Sequence, residues 1–199
     1  NQLAAGQGFF SVGAWEVSED GHLLAWAEDT SGRRQYTLRV KDLRTGEVLP
    51  DTITGASGSL VWANDGRSFF YVENDPVTLL STRVKQHVLG TDPATDAVVY
   101  EEADTSFYMG LGRTTDDTHL CIGVSSTVSS EQRCTDAAAP GEWKVIAPRE
   151  RDVEYSADRI NGQWVITTNW NAPDWRIMTA PGDAFGSRDA WVELVPQAE

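Results

Sequence analysis

A repeat of about 45 residues organises this chain of 199 residues. Its marker is a polar turn followed at once by an apolar run, first in EVSEDGHLLAW from Glu16 and again in VWANDGRSFFY from Val61. The corresponding turn positions are Gly21, Gly66, Thr118 and Gly162. Asp-Gly and Asn-Gly predict two-residue hairpin turns with positive φ at both central positions. The β-branched Thr118 resists positive φ, so a differently built third turn is expected.

The apolar run after each turn predicts a strand that is covered on both faces. In the second unit, Phe69 and Tyr71 point to one face while Phe70 and Val72 point to the other. Each unit continues with an arginine-containing segment and closes with a short apolar one. The closing segments read GEVLP, DAVVYEE, EWKVIAP and AWVELVP. Helical periodicity is absent, so each unit is predicted to be four strands.

Four strands per repeat predict an all-β fold, a β-propeller with four blade-like, four-stranded antiparallel sheets. The predicted blades are residues 9–54, 55–104, 105–150 and 151–199. Four blades can close as a small propeller or form part of a larger ring, and the repeat leaves both open. An open arc would expose blade faces and favour self-association. The first strand of each blade, namely AWEVS, LVWAN, YMGLG and EYSAD, is predicted to be innermost and to line the channel.

Composition excludes several classes of partner. The formal net charge of −14 argues against a nucleic-acid surface, which needs clustered lysine and arginine. No apolar run approaches the roughly 20 residues of a membrane helix, so no membrane partner is expected. The two cysteines lack zinc-ligand spacing, and their scarcity suits a reducing compartment. A cytoplasmic location is therefore expected, with a periplasmic one left open.

Cys121 and Cys134 are predicted to lie on adjacent strands of one hairpin, with Val128 near the loop centre. That placement permits a disulfide by proximity. Because cysteine often behaves as a small hydrophobe, two reduced and half-buried thiols are the expectation.

The histidines are not predicted to be catalytic. His22 and His119 sit beside hairpin turns, where a solvated side chain is expected, and His87 lies on a third strand, where cross-strand packing is expected. None lies in a nucleophile context. The string GASGS from Gly55 lacks the second glycine of a nucleophile elbow and is interpreted as a flexible connection between blades. SSTVSS from Ser125 is interpreted as a polar hairpin loop.

Carboxylate and arginine pairs are also interpreted as structural. Neither Glu101-Glu102 nor Asp116-Asp117 follows a calcium-loop pattern, and GLGRTT from Gly110 lacks the residues of a phosphate loop. Arg33-Arg34 is expected to form surface ion pairs rather than to grip a carboxylate. Four arginines recur once per unit and are predicted to be architectural: Arg39, Arg83, Arg133 and Arg176. We therefore predict no catalytic, cofactor-binding or metal-binding residue in this chain.

Long segments of the chain carry a family resemblance. FFSVGAWEVSEDGHLLAWAEDTSGRRQYTLRVKDLRTGEVL from Phe9 resembles the first propeller blade of the oligopeptidase B (protease II) branch of the prolyl oligopeptidase family. VENDPVTLLSTRVKQHVLGT, VYEEADTSFYMGL, SSTVSSEQR and RERDVEYSADRINGQWVITTNW continue the resemblance in the same order, so it covers essentially the whole chain.

The resemblance implies a parent serine oligopeptidase in which a seven-bladed propeller caps an α/β-hydrolase domain with a Ser-Asp-His triad. It implies hydrolysis of short peptides after Arg or Lys through an acyl-enzyme, with the propeller filtering substrates by size. The implied partners are that hydrolase domain and short basic peptides. No family catalytic residue has a matching position here, so this chain alone is predicted not to be an enzyme.

Two other functions stay open at this point. One is an independent binding or scaffold module, a closed four-bladed propeller that uses its central mouth. The other is a stand-alone propeller hydrolase of the lactonase kind, which would need carboxylates or histidines clustered at the channel mouth.

Overall fold

A computed structural model describes residues 2–197. These residues fall into two compact units, one ending at Thr105 and one beginning at Ser106. Strands dominate both units, and the helical element among the described residues is a single 3-10 turn, Pro93–Thr95. No helix within residues 2–197 has the length and apolar character needed to span a membrane. The predicted all-β class is confirmed.

The first unit is one antiparallel sheet of seven strands in chain order. Its strands are β1 (Ser11–Val17), β2 (Leu23–Asp29), β3 (Tyr36–Asp42), β4 (Val48–Trp62), β5 (Ser68–Asn74), β6 (Ser81–Val88) and β7 (Ala97–Glu101). The length of β4 explains why one sheet holds two repeats. Its first half pairs with β3 and its second half with β5, with a register shift between Ala56 and Leu60. The predicted boundary at 54/55 thus lies inside a continuous strand.

The interpretation of GASGS as a flexible connection is wrong, because this segment belongs to β4. One of its two glycines, Gly58, allows a close crossing of two strands. A Cβ atom on Gly58 would lie 3.3 Å from the Gly13 Cα and 3.3 Å from the Tyr36 ring. The absence of side chains therefore serves the packing of β1 against β4 rather than flexibility.

The second unit contains two four-stranded antiparallel sheets. The sheet of the third repeat, which we call the third sheet, has the order β11-β10-β9-β8, and the sheet of the fourth repeat has the order β12-β13-β14-β15. Their strands are β8 (Tyr108–Arg113), β9 (His119–Ser125), β10 (Ser130–Asp136), β11 (Lys144–Val145), β12 (Tyr155–Ile160), β13 (Gln163–Thr168), β14 (Arg176–Pro181) and β15 (Val192–Val195). Each repeat thus supplies four antiparallel strands, as predicted, when β4 is counted for both repeats that it joins.

The turns that reveal the repeat are mostly not two-residue turns. In the first three repeats a four-residue loop is closed by one backbone hydrogen bond, from Ser18 N to Leu23 O, from Ala63 N to Ser68 O and from Thr114 N to His119 O. The two-residue prediction is confirmed only in the fourth repeat, where Asn161 (φ 52°) and Gly162 (φ 79°) both have positive φ.

The third turn lies one residue earlier than the sequence indicates. Its positive φ falls on Asp117 (58°), which occupies the loop position of Gly21 (72°) and Gly66 (65°). Thr118 thereby avoids a conformation that β-branched residues resist. Aspartate tolerates the left-handed region through its short polar side chain, so this turn keeps the shape of the first two without glycine.

Each unit has its own apolar core. In the first unit Trp62, Phe69 and Tyr71 are buried, and Trp62 packs edge-on against Phe69 with ring centroids 5.1 Å apart. Phe70 and Val72 are also buried on the opposite face of β5. The prediction of a strand covered on both faces is therefore confirmed.

Candidate functional site

The most deeply buried polar group of the first unit is His87, on β6, with a fully buried side chain. Its Nε2 lies 3.0 Å from Asp51 Oδ1 and its Nδ1 lies 2.9 Å from Asp96 Oδ1. The ring also packs on Phe69, its cross-strand partner, at 5.3 Å between centroids. The predicted packing role is confirmed. Because carboxylates face both ring nitrogens, neither nitrogen is available to take a proton from a nucleophile.

The carboxylates around His87 are themselves held by further donors. Gly90 N donates to Asp51 Oδ1 at 2.6 Å, and Tyr71 Oη donates to Asp96 Oδ2 at 3.0 Å. Burial, together with the charge of Asp96, raises the pKa of Tyr71, so the phenol stays a donor. Sequence reasoning missed this cluster, because Asp51 and Asp96 lie 36 and 9 residues from His87 along the chain and share no motif with it.

The other two histidines differ from each other. His22 is exposed and lies 3.0 Å from Asp20, so the solvated-turn prediction is confirmed. For His119 the same prediction is wrong, since its ring packs on Trp164 at 5.6 Å. Burial, and then the charge of Arg159, lowers its pKa. The error follows from the shifted third turn, which makes residue 119 the first of a strand.

The four recurring arginines form ion pairs within their own sheets. Each pairs with a glutamate of the same or a neighbouring strand. The pairs are Arg39 with Glu28, Arg83 with Glu73 and Glu101, Arg133 with Glu131, and Arg176 with Glu193. This repetition supports their predicted architectural role. Arg33 and Arg34 are exposed, and the Arg34 backbone amide donates to Asp29 Oδ2 at 2.8 Å.

The candidate carboxylate pairs serve local structure. Glu102 accepts hydrogen bonds from Tyr100 Oη (2.8 Å) and from the Asp104 amide (2.9 Å). Asp116 forms an ion pair with Arg159, a residue of the fourth repeat, at 2.8 Å. Within residues 2–197, no group of three or more His, Cys, Asp or Glu side chains is arranged to hold a metal ion.

The serines of SSTVSS close the hairpin between β9 and β10, as predicted for a polar loop. Ser126 N donates to Ser129 O at 2.8 Å. Ser130 has a different task, because its Oγ donates to Tyr155 O at 2.7 Å and accepts from Tyr155 N at 2.6 Å. Its hydroxyl is thus committed to the edge of β12.

The prediction of two reduced thiols is wrong, since Cys121 and Cys134 form a disulfide. The two residues are direct cross-strand partners in β9 and β10, with Cα atoms 4.1 Å apart. The hairpin register therefore brings together two side chains that spacing alone only placed nearby.

A cleft of about 430 Å³ lies in the second unit, between the third sheet and β12. Gly110, Gly112 and Gly123 open it, because they contribute no side chains. Several of its polar side chains already make hydrogen bonds within the protein. Gln132 bonds the backbone of Ala157, Ser130 donates to the carbonyl of Tyr155, and Asp158 accepts from the amide of Thr115. The phenol of Tyr155 is buried, which raises its pKa to about 12. The cleft is thus a packed junction with much of its hydrogen-bonding capacity already used.

The strands predicted to be innermost include three sheet edges, β1, β8 and β12. They carry exposed side chains, among them Trp15 (70% exposed) on β1 and Tyr108 (60%) on β8. Their role in lining a channel stays a prediction.

Comparison with known proteins gives one consistent result. A model of the prolyl oligopeptidase N-terminal β-propeller domain matches residues 1–199. Dipeptidyl aminopeptidase BI of Pseudoxanthomonas mexicana is 59% identical over 196 residues, which cover 98% of this chain and 27% of that protein. The chain therefore spans little more than a quarter of this relative.

Solved structures agree on the fold. Oligopeptidase B from Leishmania major superposes with a TM-score of 0.91 and 28% identity over 99% of this chain and 28% of that one. Oligopeptidase B from Trypanosoma brucei, with covalently bound antipain, gives a TM-score of 0.88 and 25% identity over 100% of this chain and 28% of that one. These likenesses thus support the fold that the family model indicates.

Proposed function

The chain belongs to the N-terminal β-propeller domain family of prolyl oligopeptidases, and we propose that it is the non-catalytic part of a serine oligopeptidase that hydrolyses short peptides. The observation that carries this proposal is the match of the family model to the entire chain. The histidine contacts support it, since His87 is enclosed by two carboxylates and His119 packs against aromatic rings. Chemistry is accordingly assigned to an α/β-hydrolase domain of the parent protein, the partner of this propeller.

We propose further that the propeller selects substrates by size. Support comes from the free-edge strands β1 and β8, whose exposed side chains suit the lining of a channel. The test uses the complete parent protein and peptides of increasing length that share one cleavage site. We expect kcat/KM to fall with length and cleavage to be negligible when the same site lies in a folded protein. Equal cleavage of the folded protein would refute the filter.

The preferred peptides are proposed to be basic. The net charge of −14 supports this, because an acidic surface raises the local concentration of cationic ligands. Chromogenic peptides that differ only in Arg or Ala before the cleaved bond provide the test. We expect the Arg peptide to be preferred, and its advantage to shrink as salt screens the charges. An equal rate for both peptides at low salt would contradict the proposal.

A second candidate is the release of dipeptides from free N-termini, which the name of the 59% identical relative favours. N-acetylated and free versions of one short substrate separate the two activities. Release of intact dipeptides from the free version, with no cleavage of the N-acetylated version, would establish the second candidate. Cleavage of both versions at internal bonds would establish an oligopeptidase.

A further inference from the structure

We propose that the Cys121–Cys134 disulfide is a permanent structural bond of this protein, formed in an oxidising compartment outside the cytosol. This inference is independent of the proposed peptidase function. Its first support is the register of the hairpin, in which Cys134 stands directly opposite Cys121. The Cα atoms are 4.1 Å apart, so the antiparallel ladder itself presents the two sulfur atoms to each other.

The second support is the position of the bond in the core. Cys121 is 6% exposed and Cys134 is 1% exposed. Both belong to the apolar cluster that also contains Tyr155, Trp164 and Ile166. Although Cys121 borders the cleft of the second unit, so little of either cysteine is exposed that attack by dissolved thiolates is hindered, because attack on sulfur requires access. The bond is therefore expected to persist in the folded protein.

The third support is the contact between the bond and the junction of two sheets. Gln132 Nε2 lies 3.8 Å from Cys134 Sγ and donates to Ala157 O at 2.7 Å. The sulfur thus flanks the side chain that holds β12 against the third sheet. By tying β10 to β9, the disulfide keeps Gln132 in the position from which it bonds β12.

The chemistry of formation identifies the compartment. The two thiols lose two protons and two electrons as the Sγ–Sγ bond forms, and a disulfide-carrying oxidant of the thiol–disulfide exchange class takes them up to become two thiols. Such oxidants act in the periplasm and in secretory or extracellular spaces, whereas the cytosol keeps thiols reduced. These are the two cysteines of the chain, so no other pairing competes within it.

The sequence offers a direct measurement. Arg133 lies immediately before Cys134, so trypsin separates the two cysteines into the peptides Thr114–Arg133 and Cys134–Lys144. The complete natural protein is taken from its own cells, which are lysed in acid before free thiols are alkylated. The acid serves only to stop thiol–disulfide exchange, and the alkylation itself is carried out in denaturant after return to neutral pH, where thiolates form. We expect mass spectrometry without reductant to show these two peptides joined. We also expect the joined pair to lie in the fraction released by osmotic shock or in the medium.

Two results overturn the proposal. One is recovery of both peptides singly and alkylated, which shows reduced thiols in the cell. The other is recovery of the joined pair in the cytosolic fraction. A Cys134→Ala variant is the control for trapping, since its Cys121 must be alkylated. In the purified protein, reduction by a dissolved dithiol should be about tenfold slower or more than in denaturant, because the folded core blocks access.

Discussion

The side-chain amide of Gln132 pairs with the backbone of Ala157 as a neighbouring strand would. Gln132 Nε2 donates to Ala157 O at 2.7 Å, and Ala157 N donates to Gln132 Oε1 at 2.9 Å. Two residues away, Ser130 Oγ bonds both the carbonyl and the amide of Tyr155. Side chains of β10 thus satisfy the free edge of β12, which would otherwise expose unpaired backbone groups.

Replacing Gln132 by alanine removes both bonds and leaves two backbone groups of Ala157 without partners. We expect the free energy of unfolding to fall by about 2 to 3 kcal/mol, since each lost bond to a partly buried group costs about 1 kcal/mol or more. Hydrogen exchange should show faster exchange of the Ala157 amide. Gln163→Ala, at an exposed position, is the control and should change neither quantity. Unaltered exchange at Ala157 in Gln132→Ala would contradict the assigned role.

The His87 cluster predicts a large loss of stability. His87→Ala leaves the buried carboxyl groups of Asp51 and Asp96 without their shared partner, and breaking a buried pair in this way costs about 3 to 5 kcal/mol. His22→Ala removes a similar contact that is exposed and screened by water, so it should cost much less. Urea unfolding followed by tryptophan fluorescence measures both. Similar losses of unfolding free energy in the two variants would show that the buried cluster stabilises the fold no more than an exposed contact does.

The carboxyl of Asp116 predicts a pH dependence. Burial raises its pKa, but hydrogen bonds from Thr118 and Thr114 and the charge of Arg159 outweigh this and lower it from 3.8 to about 2. Because the folded pKa lies below the unfolded one, the stabilisation is fully present above pH 3.8 and is lost as the pH falls toward about 2.

Asp116→Asn should therefore lower the free energy of unfolding by about 1 to 2 kcal/mol at neutral pH and flatten its decline in that acidic range. Asp117→Asn is the matched control, since Asp117 is 72% exposed and asparagine accepts its positive φ. Chemical unfolding at several pH values gives the comparison. An equally steep acid decline in Asp116→Asn would rule out this carboxyl as the source.

Two strand glycines, Gly13 on β1 and Gly110 on β8, should respond in opposite ways to alanine. A Cβ atom on Gly13 would collide with the Tyr36 ring, whereas one on Gly110 meets no atom within 4 Å. Gly13→Ala should cost about 1 to 3 kcal/mol through overpacking. Gly110→Ala should be neutral or slightly stabilising, because it restricts the unfolded chain. Thermal unfolding of both variants decides the matter, and equal melting temperatures would contradict the close packing of the Tyr36 ring on Gly13.

The disulfide predicts sensitivity to reductant. It joins residues separated by 13 positions, for which loop closure contributes about 3 kcal/mol. Unfolding in urea with a reductant should therefore give a lower free energy than without it. The double variant Cys121→Ala/Cys134→Ala should be indifferent to reductant. If reductant lowered the unfolding free energy of that variant by the same amount, the effect would not come from this disulfide.

Sequence reasoning succeeded where one strand or one turn carries the information. The repeat, the four-strand units and the two-sided burial of β5 follow from local alternation and turn chemistry. It failed where a neighbour decides the outcome. GASGS resembles a linker by composition, yet it is part of a strand in which Gly58 is closely approached by β1 and Tyr36. His119 resembles a turn residue, yet the shifted third loop makes it a strand residue facing Trp164.

The amino-acid sequence by itself determined the all-β repeat and the family, because turn residues and alternating apolar runs act over a few positions and recur four times. Only the tertiary structure decided which polar side chains are structural partners. The enclosure of His87 by Asp51 and Asp96, the capping of Ala157 by Gln132 and the joining of Cys121 to Cys134 all depend on strand register and sheet packing. Neighbouring residues along the chain do not specify which side chains meet in these contacts, because the contacts form between different strands.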